Sequence, residues 1–217
     1  MIQTNGTFKI AMLLFDNYTA LDVVGPYEVL SKIPDSKIYM VAVKPGIYKD
    51  IKGLQLSAGY SLKDIENPDI LVIPGGFGID SVLNNRGILN WIRNAHKIST
   101  WTVSVCSGAI LLGAAGLLEN RKATTHWNRK EQLAKYGVIL QNERYVIDGK
   151  IITSAGVSAG LDMSLYLLSL VVNESFAKSV QLGMEYDPKP PFDSGSPEKA
   201  PKEMVDKIRQ STMTNNK

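Results

Sequence analysis

The sequence predicts an α/β protein, a doubly wound, mostly parallel sheet with helices on both faces. Three observations carry that expectation. Short strand-like runs alternate with longer helical stretches along the whole body of the chain. The runs at residues 8–15 and 69–73 are nearly continuous in apolar residues, as strands buried on both faces are. Finally, Asp22, the Pro74-Gly75-Gly76 turn and Cys106 all fall just beyond predicted strands. In an open parallel sheet that edge is where ligands bind.

Taken in order, residues 8–15 read as the first strand, followed by a turn at Asp16-Asn17-Tyr18-Thr19 and a helix from Asp22 to about Lys32. Residues 37–44 form a second strand, and residues 48–60, punctuated by Gly53 and Gly59, an irregular or hairpin excursion. The strand at 69–73 breaks at Pro74-Gly75-Gly76-Phe77-Gly78 and gives way to a helix over about 79–95. Residues 99–105, rich in Val and Thr, run into Cys106, and small residues carry a helix over 107–118. Helix 130–136 precedes short strands at 138–147 and 151–154 around the Asp148-Gly149 turn. An apolar helix over 161–172 and a last core helix over 174–184 complete the body. The whole chain, 1–217, reads as one domain with a core at about 8–186. Its tail, 187–217, is rich in Pro, Ser, Gly and Lys: an extended surface segment, a short charged helix at 202–210 and a frayed end.

Composition narrows the function. A chain of 217 residues with 44% apolar content buries a full core without staples. The formal charge of +3 is scattered, which argues against a nucleic-acid stripe or a polybasic membrane patch. No run is long and apolar enough to cross a membrane, and the polar N-terminus, residues 1–9, lacks the apolar core of a signal peptide. One cysteine fits a reducing compartment, so the expected location is the cytoplasm. With two histidines it leaves too few soft ligands for a zinc site of the usual kind, and no cofactor is expected.

Cys106 supports two readings. A free cysteine often simply packs. On a strand-to-helix corner it also faces unpaired helix amides, which favour the thiolate and lower its pKa. Gly75 and Gly76 carry a comparable choice: a tight turn, or backbone N–H groups that, with Ser107, hold developing negative charge. The run at Gly76-Phe77-Gly78 lacks the third glycine of a dinucleotide fingerprint and the Lys of a phosphate loop. Asp22 is either an N-cap or an acid placed beside the sulfur, kept protonated near neutrality by burial. His126 reads as a structural hydrogen bonder beside Trp127, and His96 as exposed on a polar helix end.

The quoted segments have a pattern in common. Leu21-Asp22-Val23-Val24-Gly25-Pro26-Tyr27-Glu28, Ile73-Pro74-Gly75-Gly76-Phe77-Gly78 and Val105-Cys106-Ser107-Gly108 resemble the DJ-1/PfpI superfamily. So do Gly113-Ala114-Ala115-Gly116-Leu117-Leu118, Ala123-Thr124-Thr125-His126-Trp127, Ala155–Asp162 and Pro190–Pro197. Within it the chain is most similar to the isonitrile hydratase branch, which has Asp where DJ-1 and the PfpI proteases have Glu. The resemblance implies a flavodoxin-like fold, a homodimer, Cys106 as nucleophile and Asp22 as acid. Ser107 stands where the hydratases usually have Thr, and where proteases and glyoxalases have a neighbouring His. Some relatives add a DNA-binding region of about a hundred residues; some thirty residues follow Met184, so a transcription factor is not expected. The implied activity is water addition to an isonitrile, a small-molecule substrate, through a covalent Cys thioimidate. The alternatives are a redox-responsive stress protein without turnover and a glyoxalase or deglycase.

Overall fold

The computed structural model describes residues 7–214. Residues 1–6 of the polar N-terminal segment and 215–217 of the frayed end therefore lie outside the described residues. Two compact units are present, Met1–Gly183 and Met184–Lys217.

The first unit is built on a seven-stranded sheet. Its strands are β1 (Phe8–Leu13), β2 (Ser36–Ala42), β5 (Tyr60–Ser61), β6 (Ile70–Ile73), β7 (Trp101–Ser104), β10 (Tyr145–Asp148) and β11 (Ile151–Ser154). A hairpin of β3 (Gly46–Lys49) and β4 (Gln55–Ala58), and a parallel pair of β8 (Lys122–Ala123) and β9 (Ile139–Leu140), stand apart from it. The order is β10-β11-β7-β6-β1-β2-β5, parallel throughout except for β10. After β1 the chain builds outward through β2, then returns to lay β6 on the other side of β1. The winding thus reverses between β1 and β6, and a crevice is expected at their carboxyl ends.

Both faces of the sheet are covered, which is why the central strands β1 and β6 are almost uniformly apolar. In β1, Ala11 and Leu13 join one core together with Ile88, Trp91, Ile92, Leu111 and Leu112. These come from α3 (Arg86–Ile98) and α4 (Gly108–Ala114). Ile10 and Met12, alternating with them, are equally buried and face the opposite layer. That layer is formed by α1 (Ala20–Leu30) and α6 (Ala159–Val171), packed on each other, with α7 (Glu174–Gly183) against α6. The remaining helices are α2 (Ile79–Val82), α5 (Lys130–Ala134) and, in the second unit, α8 (Lys202–Thr214).

Several expected boundaries move for local reasons. The single helix read over 79–95 is two: α2 ends at Val82, and the Asn85 side chain caps the start of α3. Its Oδ1 accepts the N–H groups of Gly87 and Ile88 at 3.0 and 3.2 Å, at the start of α3. The strand read over 138–147 is split into β9, beside β8, and β10, on the main sheet. The helix α8 runs beyond Gln210 to Thr214. The hairpin excursion is present, and β5, which periodicity did not reveal, is a two-residue edge strand beside β2.

Candidate active site

Four strand ends converge on one place. β1 leads into α1 and Asp22, β6 into Pro74-Gly75-Gly76, β7 into Cys106, and β11 into Ala155-Gly156-Val157.

Cys106 occupies a left-handed backbone conformation, φ 57°, at the turn from β7 into α4. A side chain with a Cβ rarely adopts this, and such residues persist where the surroundings over-determine them. Here they do. The Cys106 N–H donates to the carbonyls of Ser154 and Ala155 at 3.2 and 3.0 Å. Its carbonyl accepts the Thr125 hydroxyl at 2.7 Å. Beyond it, the Gly108 N–H donates to Val105 O, closing the elbow. Cys106 as a residue is 7% exposed, and the backbone N–H groups of Ser107 and Val157 favour its thiolate.

Asp22 is completely buried in the first turn of α1. It does not cap that helix: Thr19 is the N-cap, and no side chain caps there. Instead its Oδ2 accepts the N–H of Gly75 at 3.0 Å, across the gap between α1 and β6. Its Oδ1 has no hydrogen bond of good geometry among the described residues. The carboxyl lies close enough to the Cys106 sulfur for each to shift the other's titration. Burial raises the Asp22 pKa to about 7, against the opposing pull of the Gly75 amide and the thiol.

The thiol itself moves the other way from the expectation. Burial and the neighbouring Asp22 push its pKa up, outweighing the Ser107 and Val157 amides that favour the thiolate. The helix that follows is only seven residues long, and an elbow closed to water leaves desolvation the larger effect. Proton traffic at the sulfur is therefore a property of the pair, acid and thiol together.

Gly75 and Gly76 are also used differently from the expected cradle. The Gly75 N–H is taken by Asp22, and the Gly76 N–H donates to Ser107 Oγ at 3.0 Å. Both donors already have protein acceptors, so they orient the acid and the hydroxyl rather than standing open to a substrate's charge. The close approach explains why Gly75 is glycine. A Cβ there would lie 2.5 Å from Ser107 N, 2.6 Å from Ser107 Oγ and 2.9 Å from Asp22 Oδ2.

The histidines divide. His126 Nδ1 accepts the Asn128 N–H at 3.2 Å, and its ring lies 5.6 Å from that of Trp127, the structural placement expected of it. His96 is not exposed: it is half-buried, with Nδ1 at 2.9 Å from Thr102 Oγ1, and burial with nearby Lys150 and Arg121 lowers its pKa to about 4. Two groups at the site went unread in the sequence, the Thr125 hydroxyl and the Val157 amide. Thr125 lay in a quoted segment, overshadowed by His126. Val157, at φ 36°, carries no sequence signal, because a valine does not announce a positive φ. Among the described residues no cluster of His, Cys, Asp and Glu could hold a metal ion, and no helix is long and apolar enough to cross a membrane.

A flavodoxin-like sheet with a cysteine on a strained strand-to-helix elbow, and a buried acid against its sulfur, defines a class of α/β proteins. Comparison with known proteins gives the family: residues 8–170 match the DJ-1/PfpI family, and the chain belongs to that family. It is 38% identical to isonitrile hydratase of Pseudomonas putida over 208 residues, 93% of this chain and 89% of that protein. It is 24% identical to deglycase PfpI of Pyrococcus furiosus over 149 residues, 67% of this chain and 89% of that one. Among solved structures, a ThiJ/PfpI family protein from Pseudomonas syringae superposes with a TM-score of 0.91 at 34% identity, covering 97% of this chain and 89% of its own.

Proposed function

We propose that this protein is a cofactor-independent hydro-lyase that adds water to an isonitrile, R–N≡C, releasing an N-substituted formamide. The observation that carries the reading is a fully buried carboxyl, Asp22, set against the Cys106 sulfur with its pKa raised to about 7. Such an acid can hold a proton at neutrality and give it up to a neighbour. Similarity to isonitrile hydratase over nearly the whole chain supports the choice of substrate class.

The pair begins with one proton shared between acid and thiol. In the reactive tautomer the proton is on Asp22 and the sulfur is a thiolate, facing the Ser107 and Val157 amides. Asp22 protonates the terminal carbon of the isonitrile while Cys106 attacks that same carbon. The new C–H and C–S bonds give a thioimidate, R–N=CH–S–Cys106, and leave Asp22 as a carboxylate. That carboxylate takes a proton from water as its oxygen adds to the carbon, and passes that proton to the nitrogen, giving R–NH–CH(OH)–S–Cys106. Collapse of the adduct breaks the C–S bond, returns a proton to the pair and yields R–NH–CHO. Ser107 orients the polar end of the substrate, and Gly75 and Gly76 serve by holding Asp22 and Ser107.

We further propose that the working form is a homodimer in the cytoplasm. The helices α1 and α6 are apolar nearly all round, and leave Leu21, Tyr27 and Leu170 exposed where a second copy would cover them. The test of the function is direct: purified protein is mixed with a simple alkyl isonitrile and the formamide is measured. Turnover that Cys106→Ala and Asp22→Asn each abolish, with the fold intact, supports the scheme. Full activity in either variant removes that residue from it.

A further inference from the structure

The peptide unit joining Cys106 to Ser107 has its two ends in different hands. Its carbonyl accepts the Thr125 hydroxyl at 2.7 Å, while its N–H, that of Ser107, is one of two amides that favour the thiolate at Cys106. A peptide is planar, so whatever holds the carbonyl also aims the N–H. Cys106 is in a left-handed conformation, φ 57°, which its surroundings must hold in place. Thr125 is fully buried, so water cannot replace it as a donor. Thr125 is in turn fixed from behind: the Thr124 N–H donates to Thr153 Oγ1 at 2.9 Å, tying the segment to β11.

We propose that Thr125 is a positioning residue, whose hydroxyl fixes the Cys106–Ser107 peptide so that the Ser107 N–H stays aimed at the sulfur. The same bond polarises the peptide and strengthens the N–H as a donor. Thr125 touches neither substrate nor reacting atoms; it acts through the elbow on the readiness of Cys106 to become a thiolate. The inference rests on Cys106 being the reactive sulfur, but not on which substrate it attacks. Its test is therefore read on the thiol, and the failure of isonitrile hydration would leave it standing.

Two titratable groups stand near the sulfur from other elements. Asp22, on α1, acts on it directly. His126, adjacent to Thr125 and packed where a Cβ on Gly156 would meet its ring, has its pKa lowered by burial and Arg129, and is neutral above neutrality. Thr125→Val changes neither group and keeps the side-chain shape, removing only the donor.

The experiment is the rate of Cys106 alkylation by iodoacetamide between pH 6 and 10, with thermal melts run alongside. Thr125→Val should alkylate about five- to tenfold more slowly across the plateau above pH 7, because a smaller share of the singly protonated pair holds its proton on Asp22. Thr125→Ser, which keeps the hydroxyl, should stay within about twofold of the parent. A Thr125→Val profile that coincides with the parent's overturns the proposal, as does an equal fall in the Val and Ser variants. Should Thr125→Val not fold, Thr125→Ala is read in the same way. Failure of both to fold while Thr125→Ser folds assigns the hydroxyl to the stability of the elbow alone, and overturns it too.

Discussion

Asp22 and Gly75, 53 positions apart in the chain, are joined by a 3.0 Å hydrogen bond from the Gly75 N–H to Asp22 Oδ2. This bond ties the acid on α1 to the loop after β6. The next amide, that of Gly76, does the same for Ser107 on the elbow. Two consecutive glycines thus hold the acid and the residue after the sulfur in register, and the predictions below follow from that arrangement.

Catalysis should depend on pH through the Cys106–Asp22 pair. Below about pH 7 the pair carries two protons, and the thiolate–acid tautomer is not available. As pH rises through that value one proton leaves and the reactive form fills. The kcat/KM for an alkyl isonitrile should therefore rise with an apparent pKa near 7 and stay level well above it, since the thiol's own pKa is pushed up. A flat profile from pH 5 to 9 would exclude the shared-proton scheme.

Asp22 should cost stability at neutral and alkaline pH. Its folded pKa of about 7 lies above the 3.8 of the free group, so the native state binds more protons than the unfolded one between those values. Its contribution to stability is thus most favourable below about pH 4 and is lost as pH rises to about 7. Asp22→Asn, which keeps an acceptor for the Gly75 N–H, should be more stable than the parent at pH 8, by roughly 2–4 kcal/mol. The gain should shrink toward pH 4. Denaturant melts at the two pH values check the sign; a larger gain at the acidic end would contradict it.

Gly75→Ala should disable the site more than its size suggests. The added methyl would press on the Ser107 backbone, the Ser107 hydroxyl and the Asp22 carboxyl at once, with backbone among the atoms met. Loss of at least a hundredfold in kcat/KM is expected, with a lower melting temperature. An alanine variant of near-parent activity would show that the loop yields more easily than its packing indicates.

Ser107→Ala should be milder. It leaves the buried Gly76 N–H without its acceptor, which costs about 1–3 kcal/mol of stability, but it keeps the backbone N–H that faces the sulfur. Activity should fall about tenfold rather than vanish. Ser107→Thr, which restores a hydroxyl, should recover it. Kinetics on the three proteins distinguish a hydroxyl effect from a backbone one.

Much of this was legible in the amino-acid sequence. Strands buried on both faces favour apolar residues at nearly every position, so the runs over 8–15 and 69–73 marked both themselves and a covered parallel sheet. Asp22, Gly75 and Cys106 stood out because each follows such a strand, and the carboxyl ends of parallel strands open on the same edge. Local chemistry was harder where one side chain overrides a pattern, as Asn85 does in capping a new helix within a stretch that periodicity reads as continuous.

What the linear chain could not supply was the partner of each polar group. That Gly75 and Gly76 spend their amides on Asp22 and Ser107 depends on loops brought together by the winding reversal between β1 and β6. The direction of the thiol's pKa was decided in the same way. A corner before a helix favours a thiolate, yet how far water is excluded and where a carboxyl comes to rest are properties of packing, and here they outweigh it. Hydrogen bonding and desolvation are set by neighbours distant in sequence, so residue order marked which groups lie at the strand ends, and tertiary structure decided which of them pair and what each does to the others.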